Sequence, residues 1–199
     1  RGAGVLAFRI AAQPGVVPNE REYREQLVEG GPRKGVNRPW RWFAIDDITS
    51  FADTITAQEA LEENPSGYFA GRGLIGQKYG ADYYLLLSDQ DGSSLTQRHP
   101  DWKLAEARPT IDDSGFGAVR FTLNAAGGAM FGNLTGNNIN KPMAIVLDGR
   151  VISAPNINSR ITDTGIITGA SRPRCLPSSS SRCSWRCITW RGVCWPTSR

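Results

Sequence analysis

Asp148-Gly149 sits between two short β-compatible runs, Met143 to Leu147 and Val151 to Ser153, and that spacing leaves the chain few choices. Two residues that tolerate positive φ, flanked by such runs, specify a two-residue type I′ hairpin. The neighbouring sequence extends the constraint. Ala118 to Leu123 alternates, with Val119, Phe121 and Leu123 on one face and Arg120 and Thr122 on the other, which predicts a strand. Asn124 to Asn137 carries Ala126, Met130, Phe131 and Leu134 at helical spacing. Its glycines lower the intrinsic propensity, so tertiary packing must hold that helix. Ile161 to Thr168 supplies a further amphipathic segment around Gly165. Residues 118 to 168 therefore spell strand, helix, hairpin, strand, and the expected fold class is α+β.

Upstream the signals are more scattered. Val5 to Ile10 reads as a strand that ends at the turn-rich stretch Pro14 to Pro18. Asn19, with Glu22 three residues on, predicts a capped helix presenting Tyr23 and Leu27 on one face and stopping at Gly30-Gly31-Pro32. Trp42 to Asp46 suits a short strand. Thr56-Ala57-Gln58-Glu59 has the form of a capping box for a helix that Asn64-Pro65 must end, because proline disfavours α geometry in the residue before it. Tyr83 to Leu87 is apolar without alternation, the pattern of a strand buried on both faces. Ser88 to Ser114 reads as loop-rich.

Charge divides the chain near residue 170. Residues 1 to 169 hold 17 Lys+Arg and 19 Asp+Glu, net 17 − 19 = −2, whereas residues 170 to 199 hold six Arg and no acid. All four cysteines (Cys175, Cys183, Cys187, Cys194), three of the six tryptophans and seven serines also fall in that tail. Cys183-x-x-x-Cys187 without histidine is a weak zinc pattern, so no metal site is expected. An arginine-rich tail with tryptophans suits nucleic acid by phosphate contact and stacking. The abrupt change to Arg, Ser, Cys, Trp and Pro fits better a GC-rich message read out of frame. Residues 170 to 199 are therefore expected to be frameshifted or disordered, without function, and no nucleic-acid partner is expected. The longest apolar runs span five residues, against the roughly 20 that a membrane-crossing helix needs. With no initiator Met and no leader, the chain reads as a fragment.

Few residues in the body suit chemistry. Gly71-Arg72-Gly73-Leu74-Ile75-Gly76 matches a dinucleotide loop by letter, but no buried strand precedes it, and a plain loop is the better reading. His99 is the single histidine and lies in a polar loop, too little for a zinc centre. Asp46-Asp47 and Asp112-Asp113 are adjacent pairs whose side chains diverge in extended backbone. They suit turns and caps, although one acid from each pair could meet in a glycosidase-like arrangement. A carboxylate-dependent extracytoplasmic hydrolase is thus the alternative reading. No cofactor and no catalytic residue are expected.

Residues 118 to 169 resemble the SecD family, the membrane subunits that assist the Sec translocon in protein export. The resemblance rests on Phe121 in the first strand, on Phe131 and Leu134-Thr135 in the helix, and on Ala144-Ile145-Val146-Leu147-Asp148-Gly149 leading to Ser153-Ala154-Pro155 and closing at Gly169. "GVLAFRI", residues 4 to 10, is similar to the family strand that precedes the head of the first periplasmic domain. The resemblance implies a partial ferredoxin-like base formed by a strand in 1–11 and by 114–169, with an inserted α+β head over 12–113, longer than standard and planctomycete-like. It implies that the motif residues are structural, and that the whole protein is an inner-membrane one with this part periplasmic. It further implies that SecF and the SecY channel are partners through a membrane part outside this chain, and that an emerging unfolded preprotein is held or pulled at the expense of the proton gradient. A gripping surface combines exposed aromatics with sheet edges. Trp40, Trp42, Tyr68 and Phe69 are the candidate preprotein contacts.

If the tail is a frame error, another reading frame of the parent gene beyond codon 169 encodes an amphipathic helix followed by about 20 apolar residues. Translation in all frames checks this, and a stop codon or low-complexity sequence in both other frames rejects it.

Overall fold

The computed structural model describes residues 5–33, 39–111, 115, 117–162 and 164–168. The tail, Asp112-Asp113 and Gly169 lie outside the described residues. The order of elements begins β1 (Leu6–Ile10), α1 (Glu20–Gly30), β2 (Trp40–Ala44), a single 3-10 turn over Ile48–Ser50, α2 (Ile55–Glu63) and α3 (Pro65–Ala70). It continues β3 (Gly76–Tyr79), β4 (Asp82–Ser88), β5 (Ser94–Leu95), β6 (Leu104–Ile111), β7 (Gly117–Leu123), α4 (Ala125–Gly136), β8 (Met143–Leu147), β9 (Arg150–Ser153) and β10 (Thr164–Thr168). The fold is α+β. Its strands form three antiparallel sheets, ordered β5-β1-β8-β9, β10-β7-β6 and β2-β4-β3.

The first sheet is the middle of the molecule because β1 and β8 are buried along their whole length. Alternation gives the pair two different faces. Leu6, Phe8, Ile10, Met143 and Ile145 point into one core with Trp102, Phe121, Leu123, Phe131, Leu134 and Ile157. Ala7, Ala11, Ala144 and Val146 point into a second core with Leu61, Phe69, Leu85, Leu87 and Val151. β4 is two-faced as well. Leu85 and Leu87 join the second core, while Leu86 faces a third formed with Tyr23, Leu27, Trp42 and Ile75, which buries α1.

The sequence signals around the hairpin are met closely. Asp148 and Gly149 have φ of 50° and 79°, both positive as a type I′ turn requires. The Asp148 N–H donates to the Val5 carbonyl at 2.9 Å, and its Oδ1 accepts from the Val5 N–H at 2.8 Å, which ties the turn to the start of β1. α4 is held as its weak propensity demands. Asn124 caps it, its Oδ1 accepting from the Gly127 N–H at 3.0 Å, and Phe131 lies fully buried against Phe8, ring centroids 4.6 Å apart. The order strand, helix, hairpin, strand is observed over 117–168, with β7 and β10 in one sheet and β8 and β9 in another.

Three local expectations need correction, and one, the end of α2 at Asn64-Pro65, holds. α2 starts two residues earlier than the capping box suggested: Thr54, in extended backbone, accepts from the Ala57 N–H, so Thr56 lies inside the helix. Asn19 does not cap α1 with its side chain but enters the helix through left-handed backbone at φ 61°. Pro65 ends α2 and opens α3 as its first residue, with Asn64 Oδ1 accepting from the Gly67 N–H at 2.9 Å. The stretch read as loop-rich contains β5 and the eight-residue β6. β6 is an edge strand exposed along nearly all its length, so it has no apolar alternation to betray it.

A side chain added at Gly149 would meet nothing within 4 Å, so the cost of Gly149→Val is purely that of positive φ, on the order of 1 to 3 kcal/mol. Asp148→Asn is close to silent, since Asn tolerates the same φ and keeps the acceptor, whereas Asp148→Ala loses about 1 kcal/mol. Denaturant midpoints of the three variants measure this. An unchanged midpoint for Gly149→Val contradicts the turn assignment.

Candidate functional site

The four aromatic side chains singled out for polypeptide contact do not share a surface. Phe69 is fully buried in the second core, edge-on to Phe51 and Tyr68. Trp42 is buried in the third core, where its Nε1–H donates to the Tyr23 carbonyl at 3.0 Å. Tyr68 and Trp40 are half-buried. The Tyr68 hydroxyl donates to the Phe51 carbonyl at 2.7 Å, and the Arg72 guanidinium lies over its ring at 3.7 Å. Burial pushes the Tyr68 phenol up, against the opposing effect of Arg72. Aromatic composition pointed to these residues, and packing has taken two of them into the interior.

The family-motif residues up to Leu147 are buried, and those from Asp148 to Pro155 line the hairpin and the segment that follows. Phe121, Phe131, Leu134, Ala144, Ile145, Val146 and Leu147 are buried, and Ala154 packs on the second core. Thr135 is fully buried, donating its hydroxyl to the Phe131 carbonyl at 2.8 Å and accepting from the Ile161 N–H at 2.9 Å. It thereby staples the segment before β10 onto α4. Ser153 pairs with Ile145 across the hairpin, and the Pro155 carbonyl accepts from the Met143 N–H at 2.9 Å just past the end of β9.

The polar candidates are also engaged. Asp46 Oδ1 accepts from Arg150 Nε at 3.0 Å, and Arg150 Nη2 reaches the Ile45 carbonyl and, at 3.3 Å, Asp82. Asp47 Oδ1 accepts from the Thr49 N–H and opens the 3-10 turn. Gly71 to Gly76 forms a turn with Gly73 at φ 70°, and a strand rather than a helix follows it, so the helix N-terminus a pyrophosphate needs is missing there. His99 Nε2 lies 3.6 Å from Asp91. Among the described residues no group of His, Cys, Asp or Glu could hold a metal ion, and no helix is long and apolar enough to cross a membrane.

One polar cluster was not foreseen. Asp89, directly after β4, receives Arg9 from β1 at 2.6 Å, Arg98 from the loop after β5 at 2.6 Å and Arg41 from β2 at 3.4 Å. The side chains of Asp89 and Arg9 are only 6% and 9% exposed. Arg9 also donates to the Ser88 carbonyl at 2.8 Å and lies over the Phe43 ring at 4.7 Å. Burial alone would raise the Asp89 carboxyl. The hydrogen bonds and charges of Arg98 and Arg9 outweigh it and hold the group below the ordinary carboxylate range. The signal in the sequence was Arg9 itself, a charge inside an otherwise apolar strand, which must find a partner.

Against this geometry stand the relatives. Residues 95–174 match the family described as SecDF, P1 head subdomain. The translocase subunit SecD of Elusimicrobium minutum is 56% identical over 93 residues, 45% of this chain and 20% of its own length. That of Rhodobacter capsulatus is 54% identical over 67 residues, 33% of this chain and 12% of its own length. A solved structure described as a membrane component SecDF that enhances protein export is 29% identical, covering 83% of this chain and 55% of its own, with a TM-score of 0.40. Over residues 95–174 the chain is similar to the SecDF P1 head subdomain and to SecD subunits. It spans about a fifth or less of the length of those two SecD relatives.

Asp89→Asn leaves Arg9 buried without its counter-charge and lowers stability by about 3 to 5 kcal/mol. Because the folded carboxyl titrates below its unfolded value, its contribution is complete at neutral pH and is lost as pH falls from the ordinary carboxylate value through the lower folded one. Unfolding free energies of the native chain and the variant, measured from neutral pH downward, converge if this holds. A constant gap between them contradicts it.

Proposed function

We propose that this chain is the extracytoplasmic part of a Sec accessory subunit that assists protein export by holding an emerging, unfolded preprotein. The observation that carries the reading is the P1 head match over residues 95–174, whose motif residues pack into the first and second cores. In the whole protein this part stands outside the inner membrane. SecF and the SecY channel are its partners through the membrane part, and the proton gradient drives the cycle there. The proposed division puts the base at 1–11 and 114–169 and the head at 12–113, so the segment matching the family described as the P1 head runs from the end of that head through the base.

The chain itself is proposed to catalyse nothing. The engagement of Asp46 with Arg150 favours this over the hydrolase alternative, since its Oδ1 already accepts from a guanidinium. Holding is left to surfaces that remain free. Trp40 and Tyr68 are the half-buried aromatics, with Trp42 and Phe69 supporting from behind. Among the described residues β10 has no partner on its outer side and exposes Ile166, so an extended apolar chain could add there. One strand edge and a few aromatic contacts must offset the ordering of a flexible ligand, which keeps affinity modest.

Titration of the chain with an unfolded preprotein and with its folded form, read by tryptophan fluorescence, tests the reading. The unfolded form binds and the folded form does not, and Trp40→Ala weakens binding by about fivefold, on the order of 1 kcal/mol. Equal binding of both forms, or hydrolytic turnover that Asp46→Asn abolishes, overturns it.

A further inference from the structure

The outer strands of the three sheets are β5 and β9, β2 and β3, β6 and β10, and all but β10 carry an obstacle to a further strand. β5 is two residues long. β9 and β2 meet where Val151 bridges Ile45, and the Asp46 N–H donates to the Val151 carbonyl at 2.9 Å. On β3 the Gly76 carbonyl accepts from Arg24 at 2.9 Å, and Lys78 is exposed. β6 carries Pro109 and the pair of Glu106 and Arg108. Short length, charge and proline are the devices that keep sheet edges apart. The five residues of β10 include neither a charge nor a proline.

An antiparallel edge strand turns alternate N–H and C=O groups away from its neighbour. β10 pairs with β7 alone, and its outward groups have no other backbone partner among the described residues. A row of such groups is satisfied by water or by a second extended backbone, so the edge itself defines the occupant as a polypeptide. Which polypeptide follows from the face of the sheet. Cross-strand partners share a face. Ile166 stands opposite Arg120, and Arg120 opposite Arg108, so the three form one row on the side away from the first core. Ile167 faces the other way and packs against that core. Arg108 is taken by Glu106, whereas Arg120 is exposed and has no carboxylate partner among the described residues.

A strand added beside Ile166 runs about 10 Å from Arg120, twice the spacing of neighbouring strands. An arginine stem laid over Ile166 and a glutamate reaching back together span that gap. A second copy of this chain does not meet the requirement: β10 has no carboxylate to answer Arg120, and β6 is blunted by Pro109. We propose that β10 takes up an extended segment of another polypeptide as a fourth strand of its sheet, with apolar side chains turned inward beside Ile167 and an acidic one turned outward to Arg120. This inference rests on the reading that the chain holds unfolded polypeptide. It names the segments held: those alternating apolar and acidic residues, in preference to neutral or basic ones.

The test uses the whole chain and three labelled ten-residue peptides, followed by fluorescence anisotropy at low salt. One alternates Val and Glu, one alternates Val and Gln, and the third is the Val-Glu peptide methylated on every backbone nitrogen. The Val-Glu peptide binds about fivefold more tightly than the Val-Gln peptide, and methylation weakens it by at least about tenfold. In Arg120→Gln the two unmethylated peptides bind within twofold, and in Arg120→Glu the Val-Gln peptide is the tighter, with the melting temperature showing that each variant is folded. A readout that needs no variant is salt: the fivefold gap on the native chain closes to within twofold at about 0.5 M. Equal binding of the Val-Glu and Val-Gln peptides to the native chain, or a gap that survives in Arg120→Gln or in high salt, overturns the acidic selection. Undiminished binding of the methylated peptide overturns the added strand. If no peptide binds while an unfolded preprotein is still held, the β10 edge is not the site and the holding reading stands; if the preprotein is not held either, both fall. Sedimentation showing a dimer that the Val-Glu peptide splits gives the edge to a second copy and overturns the proposal.

Discussion

Everything in this structure is arranged about the antiparallel pair of β1 and β8. Ten residues in register, from Leu6 opposite Leu147 to Ile10 opposite Met143, are buried on both faces, so the pair has no solvent side on which to place polar side chains. One face carries leucine, phenylalanine, isoleucine and methionine, and the other chiefly alanine and valine. That asymmetry decides what packs where. On the large face α4 contributes Phe131 and Leu134, and Phe8, Phe121 and Phe131 fill the centre with ring centroids 4.6 to 5.8 Å apart. The small face lets the backbone of the middle sheet approach the layer of α2, α3 and β4 closely, and large side chains such as Phe69 and Leu87 fill the space from the other side.

Arg9 is the exception on the small face, and it explains the cluster around Asp89. Ala7 and Ala11 flank it on the same side of the strand, leaving a channel along which a long side chain can run to the Ser88 carbonyl and Asp89. The pair joins the middle sheet to the end of β4 by charge where the alanines would otherwise leave little to pack. Once Asp89 is fixed in this way, Arg98 and Arg41 collect on its other oxygen, and a joint in the fold becomes a basic feature at the surface.

The parts legible in the sequence were those with a short-range cause. Asp148-Gly149 needs positive φ, Ala118 to Leu123 alternates, and Asn124 can reach the Gly127 amide, so hairpin, strand and helix follow from neighbouring residues alone. The parts missed depend on distant ones. β6 carries Glu106, Arg108 and Pro109, and it is a strand only because β7 offers its edge. Thr54 and Thr56 are equivalent as letters, and only the backbone chooses the first as cap. The surroundings of the candidate contacts were set by distant residues too. Aromatic residues were read for what they could touch, yet burial of Trp42 and Phe69 was decided by α1 and by the second core. The four residues at Asp89 span positions 9 to 98, a separation that no local pattern encodes, and only the oddity of an arginine within "LAFRI" pointed toward them.

The sheet β10-β7-β6 shows how such a domain can offer an edge without becoming an aggregation template. Its β6 side is exposed but blunted: Pro109 removes a donor from the strand, and Glu106 and Arg108 pair with each other on one face. A strand arriving there would forfeit a hydrogen bond and would have to displace charge. The β10 side has no proline. Its middle residue Ile166 is 47% exposed, while Gly165, opposite Phe121, has space for no side chain, because an added Cβ would come within 2.4 Å of the ring. Gly165 thus keeps β10 pressed onto the first core, and among the described residues nothing pairs with its outer edge. The two edges are chemically unequal, so extension of this sheet is directed to one side. The proposed holding of unfolded chains, without pairing between copies of this chain, would use that inequality.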